Sequence, residues 1–493
     1  MIAVGLLRFG LDLPEAKVAA LLAVGWNVPL PQSSVSRLST EFLVRWRMLC
    51  EERLPPLLAG RAPLLLQVDG TVVPGAPVTF RAREARTGAT LWAEQLEAES
   101  REEVVRFLRI VKERYGTPTL LIRDLSPTIR EAAIEVFPTV PQQEDHWHYL
   151  SVLGPLGLPD YEPLRHGLLL GEALAHLAQW ARKLPVEGGT LDELERVWVR
   201  LALEWVDTAR QHPGGFPWRL PYLEVARRMR RVVDWSEQLL RAHMARGIGV
   251  PEVAGLKHRL RGVLEREAVK FPLGRLDAEV VLWEEIRRAM RAERDRRSRV
   301  DLAPLAAADI VEVQRQIEAA GGRFAARGDW AVAIWEKVAA KFAEHERFLW
   351  VVVPGLGEVV RSTVALERAH RDDRQRVRHR TGQEATGAAL GEFGALLAFW
   401  SNARCRWFVE EGLTGVNLWA EFARQDSGEV RRRLAALPRE GCRPRVAVPK
   451  KKVAERLEAF VKLLTGSAPL EPALAEWAAS IGSDLMVHSA PAE

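Results

Sequence analysis

Cysteine is scarce in this sequence of 493 residues. The chain has three, Cys50, Cys405 and Cys442, which lie far apart and form no CxxC pair. An odd number of widely spaced cysteines excludes a disulfide-stapled secreted domain and argues against a zinc module. The cysteine usage therefore predicts a protein of the reducing cytosol.

Long apolar runs are also lacking. No stretch of about 18 apolar residues occurs, so the sequence predicts no membrane-spanning helix. The first residues are apolar but include no basic leader and no small-residue cleavage site, which argues against a secretory signal peptide. The apolar fraction of 47% and the charged fraction of 27% are ordinary for a folded protein. The length leaves room for about three domains.

The positive charge is modest overall but unevenly distributed. The formal net charge is +5 and the isoelectric point about 9.2. Arginines crowd into residues 287–299 and 368–380, and lysines into residues 449–452. Such runs supply salt-sensitive affinity for phosphates, but they can equally be the solvated faces of helices. The composition alone leaves both interpretations open.

The first 58 residues are predicted to be helical. Apolar residues recur at helical spacing and are interrupted by "NVPLPQ", after which Ser33 or Ser34 can cap a second helix. A second helix that carries Ser and Arg fits a helix-turn-helix. It fits equally well a helical hairpin that only packs on the next domain. Residues 55–63 are predicted to be a linker.

The apolar period changes at residue 64. Three segments there are predicted to be strands of an antiparallel meander, and helices and further strands then alternate. The helix starts are marked by Ser100 with Glu103, a capping box, and by Ser126 with Pro127. The predicted order is strand, strand, strand, helix, strand, helix, strand, helix. Residues 154–353 show no convincing strand and have helical spacing throughout.

Two carboxylates come at the ends of buried apolar runs. Asp69 follows "LLLQV", and Asp124 follows "LLIR". A carboxylate is costly to bury unless it is paired or binds a metal. Asp69-Gly70-Thr71 is similar to the haloacid dehalogenase signature Asp-x-Asp-Gly-Thr, but Gln67 stands at the position of its nucleophile. An amide cannot form an aspartyl-phosphate, so this family is rejected.

The order of elements resembles the ribonuclease-H-like core of DDE transposases. In that core the first and fourth strands are neighbours, and the resemblance implies that Asp69 and Asp124 face each other. The segment "LIRDLSPTIREAAIEVFPTVPQQEDHWHYL" also resembles bacterial transposases, whose Cys/Asp-x-x-His pattern is matched by Asp145 and His148. Mutator-like and hAT-like transposases share that pattern and insert a helical domain between the second and third acids.

The third acid implied by the resemblance is Glu367. Family members often have "TNN", two residues, Glu and a basic run that ends in Arg-x-Thr-Gly. Here "STVALERAHRDDRQRVRHRTG" keeps the glutamate and the ending, but Thr363 and Val364 replace the asparagines. The rival acids are Glu358, Asp372 and Asp373. The arginines that can follow the DNA backbone are Arg368, Arg371, Arg374 and Arg378.

The fold class expected from the resemblance is α+β, a ribonuclease-H-like mixed sheet with flanking helices, plus a large all-α insertion and helical termini. The expected domains are residues 1–58 (helical, with the possible helix-turn-helix), 59–155 (first part of the catalytic core), 156–350 (all-α insertion), 351–405 (final helical part of the core) and 406–493 (helical).

The implied activity is metal-dependent DNA cleavage and strand transfer at insertion-sequence ends. Asp69, Asp124 and Glu367 are the implied catalytic residues and ligands of Mg²⁺, with Mn²⁺ as an alternative, and Asp145 and His148 are supporting residues. The implied partners are double-stranded DNA and further copies of the chain, as a dimer or larger assembly, in the cytoplasm. Two alternatives stay open, an inactive DNA-binding descendant of such an enzyme and a DDE-type nuclease without strand transfer.

Each acid also has an interpretation without catalysis. Asp69 can be a turn residue at the end of its strand. Asp124 can complement a helix dipole. Glu367 can be one member of many ion pairs along its helix.

Overall fold

The structure is a computed structural model of the whole chain. It describes residues 1–59, 61, 63–73, 76–170, 173–184, 191–211, 215–245, 249–294, 300–302, 305–383 and 386–437. The lysine run at residues 449–452, Cys442 and the rest of the predicted region 438–493 lie outside the described residues. None of the described helices is both long enough and apolar enough to cross a membrane.

The chain forms two compact units. The first, here called the sheet unit, combines Met1–Asp145 with the described residues from Phe348 onward. The second, the helical unit, spans His146–Arg347. The sheet unit is therefore built from two segments of the chain that are separated by the whole helical unit.

A five-stranded mixed sheet forms the centre of the sheet unit. Its strand order is β3-β2-β1-β4-β5, in which β1, β2 and β3 are antiparallel neighbours and β4 and β5 run parallel to β1. The predicted order of strands and helices is confirmed, and so is the adjacency of the first and fourth strands. The strands are β1 (Leu65–Thr71), β2 (Val78–Glu84), β3 (Thr90–Leu96), β4 (Leu120–Arg123) and β5 (Gln142–Glu144).

Helices cover both faces of the sheet because side chains alternate between the faces along each strand. On one face Phe80 packs edge-on against Phe107 of α4, with ring centroids 4.8 Å apart. On the other face Arg81 pairs with Asp373 of α15. The covering helices are α4 (Arg101–Tyr115), α5 (Pro127–Val136), α15 (Val364–Thr381) and α16 (Gly387–Trp400).

The predicted helix starts are confirmed by the capping contacts. The Ser100 hydroxyl accepts the backbone N–H of Glu103 at 3.3 Å, and the Ser126 hydroxyl accepts that of Ile129 at 3.5 Å. These contacts satisfy backbone donors that have no partner in the first turn of a helix.

Helices also form the N-terminal part of this unit. They are α1 (Ile2–Gly5), which continues as a π-helical turn to residue 10, α2 (Glu15–Trp26) and α3 (Gln32–Ala59). Helices α1 and α3 pack on the same core, and α2 packs against them through a separate apolar cluster of Val4, Val18, Leu22 and Val35. The predicted linker at residues 55–63 is wrong in its first part, because α3 includes Pro55 and Pro56 and ends at Ala59. Burial of Leu54 and Leu58 favours this last turn despite the two prolines.

The C-terminal part of the sheet unit packs along α3. The Trp46 indole donates to the carbonyl of Phe399 at 3.0 Å, and Arg433 pairs with Glu51 at 2.8 Å. The remaining strand and α-helices described in this unit are β9 (Glu358–Val359), α17 (Leu418–Arg424) and α18 (Ser427–Ala435), and short 3₁₀ and π-helical turns lie at Ser401–Arg404 and Phe408–Gly412.

The helical unit consists mainly of helices, as predicted, but it is not all-α. Two short strands, β6 (Ala292–Arg294) and β7 (Val300–Leu302), pair antiparallel, and β8 (Leu305–Ala306) follows. Strands of two or three residues are too short to show the alternation by which strands are predicted. The helices are α6 (His146–Gly157), α7 (Tyr161–Leu169), α8 (Ala173–Lys183), α9 (Leu191–Asp207), α10 (Pro221–Met244), α11 (Pro251–Leu264), α12 (Glu267–Ala289), α13 (Ala307–Ala325) and α14 (Asp329–Leu349).

A buried acid lies inside the helical unit. The side chain of Glu279 on α12 is fully buried, and it accepts the backbone N–H of Asp160 at 3.2 Å. Burial, together with the neighbouring Asp160 carboxylate, raises the pKa of Glu279 to about 9. Glu279 is therefore protonated at neutral pH in the folded chain.

The buried acid predicts a pH-dependent stability. Between pH 4.5 and about 9 the folded chain retains a proton on Glu279 that the unfolded chain has released, so stability falls as the pH rises through this window. Glu279→Gln removes this loss while keeping a neutral polar group. We expect the melting temperature of the variant to exceed that of the wild type by a margin that grows from pH 5 to pH 8.5.

Differential scanning calorimetry across this pH range measures the effect. Glu267→Gln, an exposed glutamate on the same helix, is the matched control and should show no growing margin. A constant difference between Glu279→Gln and the wild type would contradict the prediction.

Candidate active site

Asp69 lies within β1 rather than at its end. The strand continues through Thr71, and Asp69 is the cross-strand partner of Arg81 on β2. The interpretation of Asp69 as a turn residue is therefore wrong. The residue is 6% exposed, at the point where the pairing of β1 with β4 stops.

The parallel register of β1 and β4 brings the backbone of Asp124 beside that of Asp69. The last paired residues of β1 and β4 are Val68 and Arg123, and each aspartate follows directly. Neighbouring strands lie about 4.8 Å apart, so the two backbones emerge side by side at the carboxyl edge of the sheet. One oxygen of Asp124 accepts the backbone N–H of Ser126 at 2.9 Å, which holds the turn into α5.

Helix α15 lies against the β1 face that carries Gln67 and Asp69. The Gln67 amide donates to the carbonyl of Ser362 at 2.6 Å, just before the helix, and Arg374 donates to the Thr71 hydroxyl at 3.1 Å. Asp69 lies between these two contacts on the strand. Glu367 lies between them on the helix, in its first turn, where it is half-buried.

The carboxylates fit a metal that keeps most of its water. Mg²⁺ is commonly bound through one or two carboxylates, with waters and phosphate oxygens completing its shell. Asp69 and Asp124 are the predicted pair of such hard oxygen ligands. Among the residues that the structure describes, no three His, Cys, Asp or Glu side chains are grouped so that they could hold one ion. The assignment of Glu367 as a third ligand therefore stays a prediction.

The rival acids are placed differently. Asp373 is buried and pairs with Arg81, and burial raises its pKa despite this guanidinium. It is therefore engaged in packing α15 on the sheet. Glu358 and Asp372 are exposed, the first on β9 and the second on the outer face of α15.

Asp145 fixes the start of α15. One of its oxygens accepts the backbone N–H and the hydroxyl of Thr363, each at 2.6 Å, and the Ser362 hydroxyl at 3.3 Å. Asp145 is fully buried, and its backbone N–H donates to the carbonyl of Arg123 at 2.7 Å. Asp145 thus links the ends of β4 and β5 to the helix that carries Glu367. Thr363, which departs from the transposase pattern, is one of its direct donors.

His148 belongs to the helical unit. The boundary between the two units falls between residues 145 and 146, and His148 lies on α6 with its ring centroid 5.2 Å from that of Trp147. Its supporting role stays a prediction.

The predicted DNA-binding arginines form a positive edge along α15. Arg368, Arg371 and Arg378 are exposed, and no carboxylate of the described residues lies within ion-pairing distance of them. Arg374 is half-buried, and its pKa is lowered by burial and then by the charges of Arg371 and Arg378. Clustered arginines that repel one another favour binding of an anion.

One acidic residue near this site, Glu99, was not identified by the sequence analysis. Glu99 precedes the N-cap of α4, and its carboxylate accepts the Ser126 hydroxyl at 2.7 Å. Burial, together with the charge of Asp124, raises its pKa. No sequence pattern marks Glu99, because it lies in a connection between β3 and α4 whose path only the folded chain reveals.

The contacts of Asp145 predict the importance of Thr363. Thr363→Val removes a hydroxyl that donates to a buried carboxylate, and we expect a loss of about 1.5–3 kcal/mol in the free energy of unfolding. Denaturant titration of the full chain measures this loss. Thr381→Val is the control, at an exposed position where the hydroxyl donates to Val377 of its own helix and accepts the N–H of Gln383 in the following turn. Equal losses in the two variants would refute this role of Thr363.

Comparison with known proteins does not assign the chain to a family. No family model matches the chain, and no curated protein matches its sequence. The function must be inferred from the residues at the edge of the sheet and from the chemistry that they can perform.

Proposed function

We propose that this chain is a DDE-type transposase that cleaves DNA and transfers a strand at insertion-sequence ends. The observation that carries the proposal is the placement of Asp69 and Asp124 at the same level of two adjacent parallel strands. The strand order β3-β2-β1-β4-β5 is the one expected of a ribonuclease-H-like core. The sequence resemblance, which covers about residues 60–155 and 355–400, supports the same family.

The chemistry of phosphodiester cleavage suits this site. Bound Mg²⁺ or Mn²⁺ supplies activation of the attacking oxygen and stabilisation of the leaving oxygen. The role of Asp69 and Asp124 is to hold that metal at the sheet edge. The role of Asp145 is to fix the helix that presents Glu367, the proposed third ligand. No covalent intermediate with the protein is needed.

The positive edge of α15 is the proposed contact with the DNA backbone. Arg371, Arg374 and Arg378 recur at helical spacing on the side of the helix that also carries Glu367. A phosphate bound by these arginines lies along the same helix as the proposed ligand. We propose double-stranded DNA as the partner, in a cytoplasmic dimer or larger assembly that holds two element ends.

Substitution of the two aspartates tests the proposal. Asp69→Asn and Asp124→Asn each keep the size of the side chain but remove the charge that binds metal. We expect metal-dependent cleavage to fall by more than the roughly 10–100-fold that loss of an outer-shell partner costs. DNA binding should be largely retained, because the arginines of α15 are unchanged.

The cleavage assay needs a DNA substrate whose sequence cannot be deduced from the protein sequence. Selection from a random duplex library first identifies the bound DNA, and that duplex, precut or intact, is then incubated with Mg²⁺ or Mn²⁺ and a target plasmid. Asp372→Asn, an exposed aspartate of α15, is the control. Full cleavage by Asp69→Asn would refute the proposal. Binding without cleavage by the wild type would instead identify an inactive descendant, and cleavage without strand transfer a nuclease.

The arginine edge makes a separate prediction. Each lost phosphate contact flattens the dependence of log affinity on log salt by about 0.9, so Arg371→Ala with Arg378→Ala should flatten it by about 1.8. Binding should weaken equally for all DNA sequences, because phosphate contacts carry no base information. Fluorescence anisotropy at several salt concentrations measures the slope. Arg406→Ala, exposed and paired with Glu410, is the control, and an unchanged slope in the double variant would refute this role.

A further inference from the structure

Glu99 connects the two strand ends that carry the proposed catalytic aspartates. One oxygen of its carboxylate accepts the Ser126 hydroxyl at 2.7 Å. The N–H of Ser126 in turn donates to Asp124 at 2.9 Å. Glu99 therefore acts on the turn that holds Asp124, through a single intervening residue.

The hydrogen bonds around Ser126 have a defined direction. Its hydroxyl oxygen accepts the N–H of Ile129, the first capping contact of α5. A hydroxyl has one proton, and the Glu99 carboxylate is its acceptor. Removing this acceptor leaves the Ser126 side chain held only by its 3.5 Å contact with the N–H of Ile129, which weakens the restraint on the turn that places Asp124.

The other oxygen of Glu99 lies against β1. A side chain added at Gly70 would place its Cβ 3.1 Å from this oxygen and 3.0 Å from the ring of Phe80. A larger residue at position 70 would therefore crowd Glu99 where this side chain approaches the strand. The glycine directly after Asp69 lets one carboxylate touch the end of β1 and the turn after β4 at the same time.

The contacts of Glu99 place it on the side of β1 opposite the proposed metal site, which argues against a role as a metal ligand. Gly70 is the cross-strand partner of Phe80, which faces α4, whereas the adjacent Asp69 points to the opposite face, beneath α15. The carboxylate of Glu99 thus approaches β1 from behind the proposed metal site.

We propose that Glu99 is a positioning residue, which fixes the Asp124 carboxylate beside Asp69 by holding Ser126 against the end of β1. The inference rests on the proposed function of the two aspartates.

Two substitutions distinguish positioning from a direct role. Glu99→Gln keeps an oxygen that can accept the Ser126 hydroxyl, whereas Glu99→Ala removes it. For Glu99→Ala we expect the Mn²⁺ concentration that gives half-maximal cleavage to rise by about 10–100-fold, with most of this loss recovered in Glu99→Gln. Equal losses in both variants would show that the charge itself contacts metal or DNA, and would overturn the proposal. Glu102→Ala, an exposed acid in the first turn of α4, is the control.

Hydrogen exchange of the full chain without metal or DNA supplies a readout independent of activity. We expect the amides of Ser126 and Ile129 to exchange about 5–10-fold faster in Glu99→Ala than in the wild type, as loss of one hydrogen bond predicts. Unchanged exchange would overturn the positioning role. If Glu99→Ala does not fold, Ser126→Ala removes the same contact from the other side, and a wild-type metal dependence in that variant would equally overturn it.

The cleavage assay and the hydrogen-exchange measurement distinguish failure of the proposed function from failure of the positioning role. A wild type that shows no metal-dependent cleavage refutes the proposed function, while the exchange rates still decide whether Glu99 holds the turn.

Discussion

The parallel pairing of β1 with β4 is the constraint on which the proposed site depends. Val68 and Arg123 are the last paired residues, and each is followed by an aspartate. A slip of one residue would turn one of the two carboxylates to the opposite face. Burial specifies the register, since Leu65 and Leu120 pack in one apolar cluster and Leu66 and Leu121 in another.

The second constraint is the placement of α15 across the strand ends. Its start is held by Asp145, and Arg81 pairs with its middle across a buried surface. Removing Arg81 would leave the buried Asp373 carboxylate without this guanidinium, which is far costlier than losing a surface ion pair. The helix is therefore held at both points beside Asp69, and its exposed arginines are Arg368, Arg371 and Arg378.

Much of the sheet unit was predictable, because alternation, capping residues and turn glycines are local signals. Asp69 and Asp124 were found because each follows an apolar run. Glu99 was not, because its contact with Ser126 joins segments 27 residues apart and leaves no local pattern. The role of Thr363 was hidden for the same reason, since its acceptor Asp145 is 218 residues away.

An experimental structure with Mn²⁺ tests the central claim most directly, because anomalous scattering locates the ion without reference to activity. The account predicts a peak within about 2.5 Å of carboxylate oxygens of both Asp69 and Asp124. A third ligand from Glu367 would complete the proposed set. A peak elsewhere, or aspartate side chains that point to opposite faces of the sheet, would contradict the assignment of this edge as a phosphodiester-cleaving site.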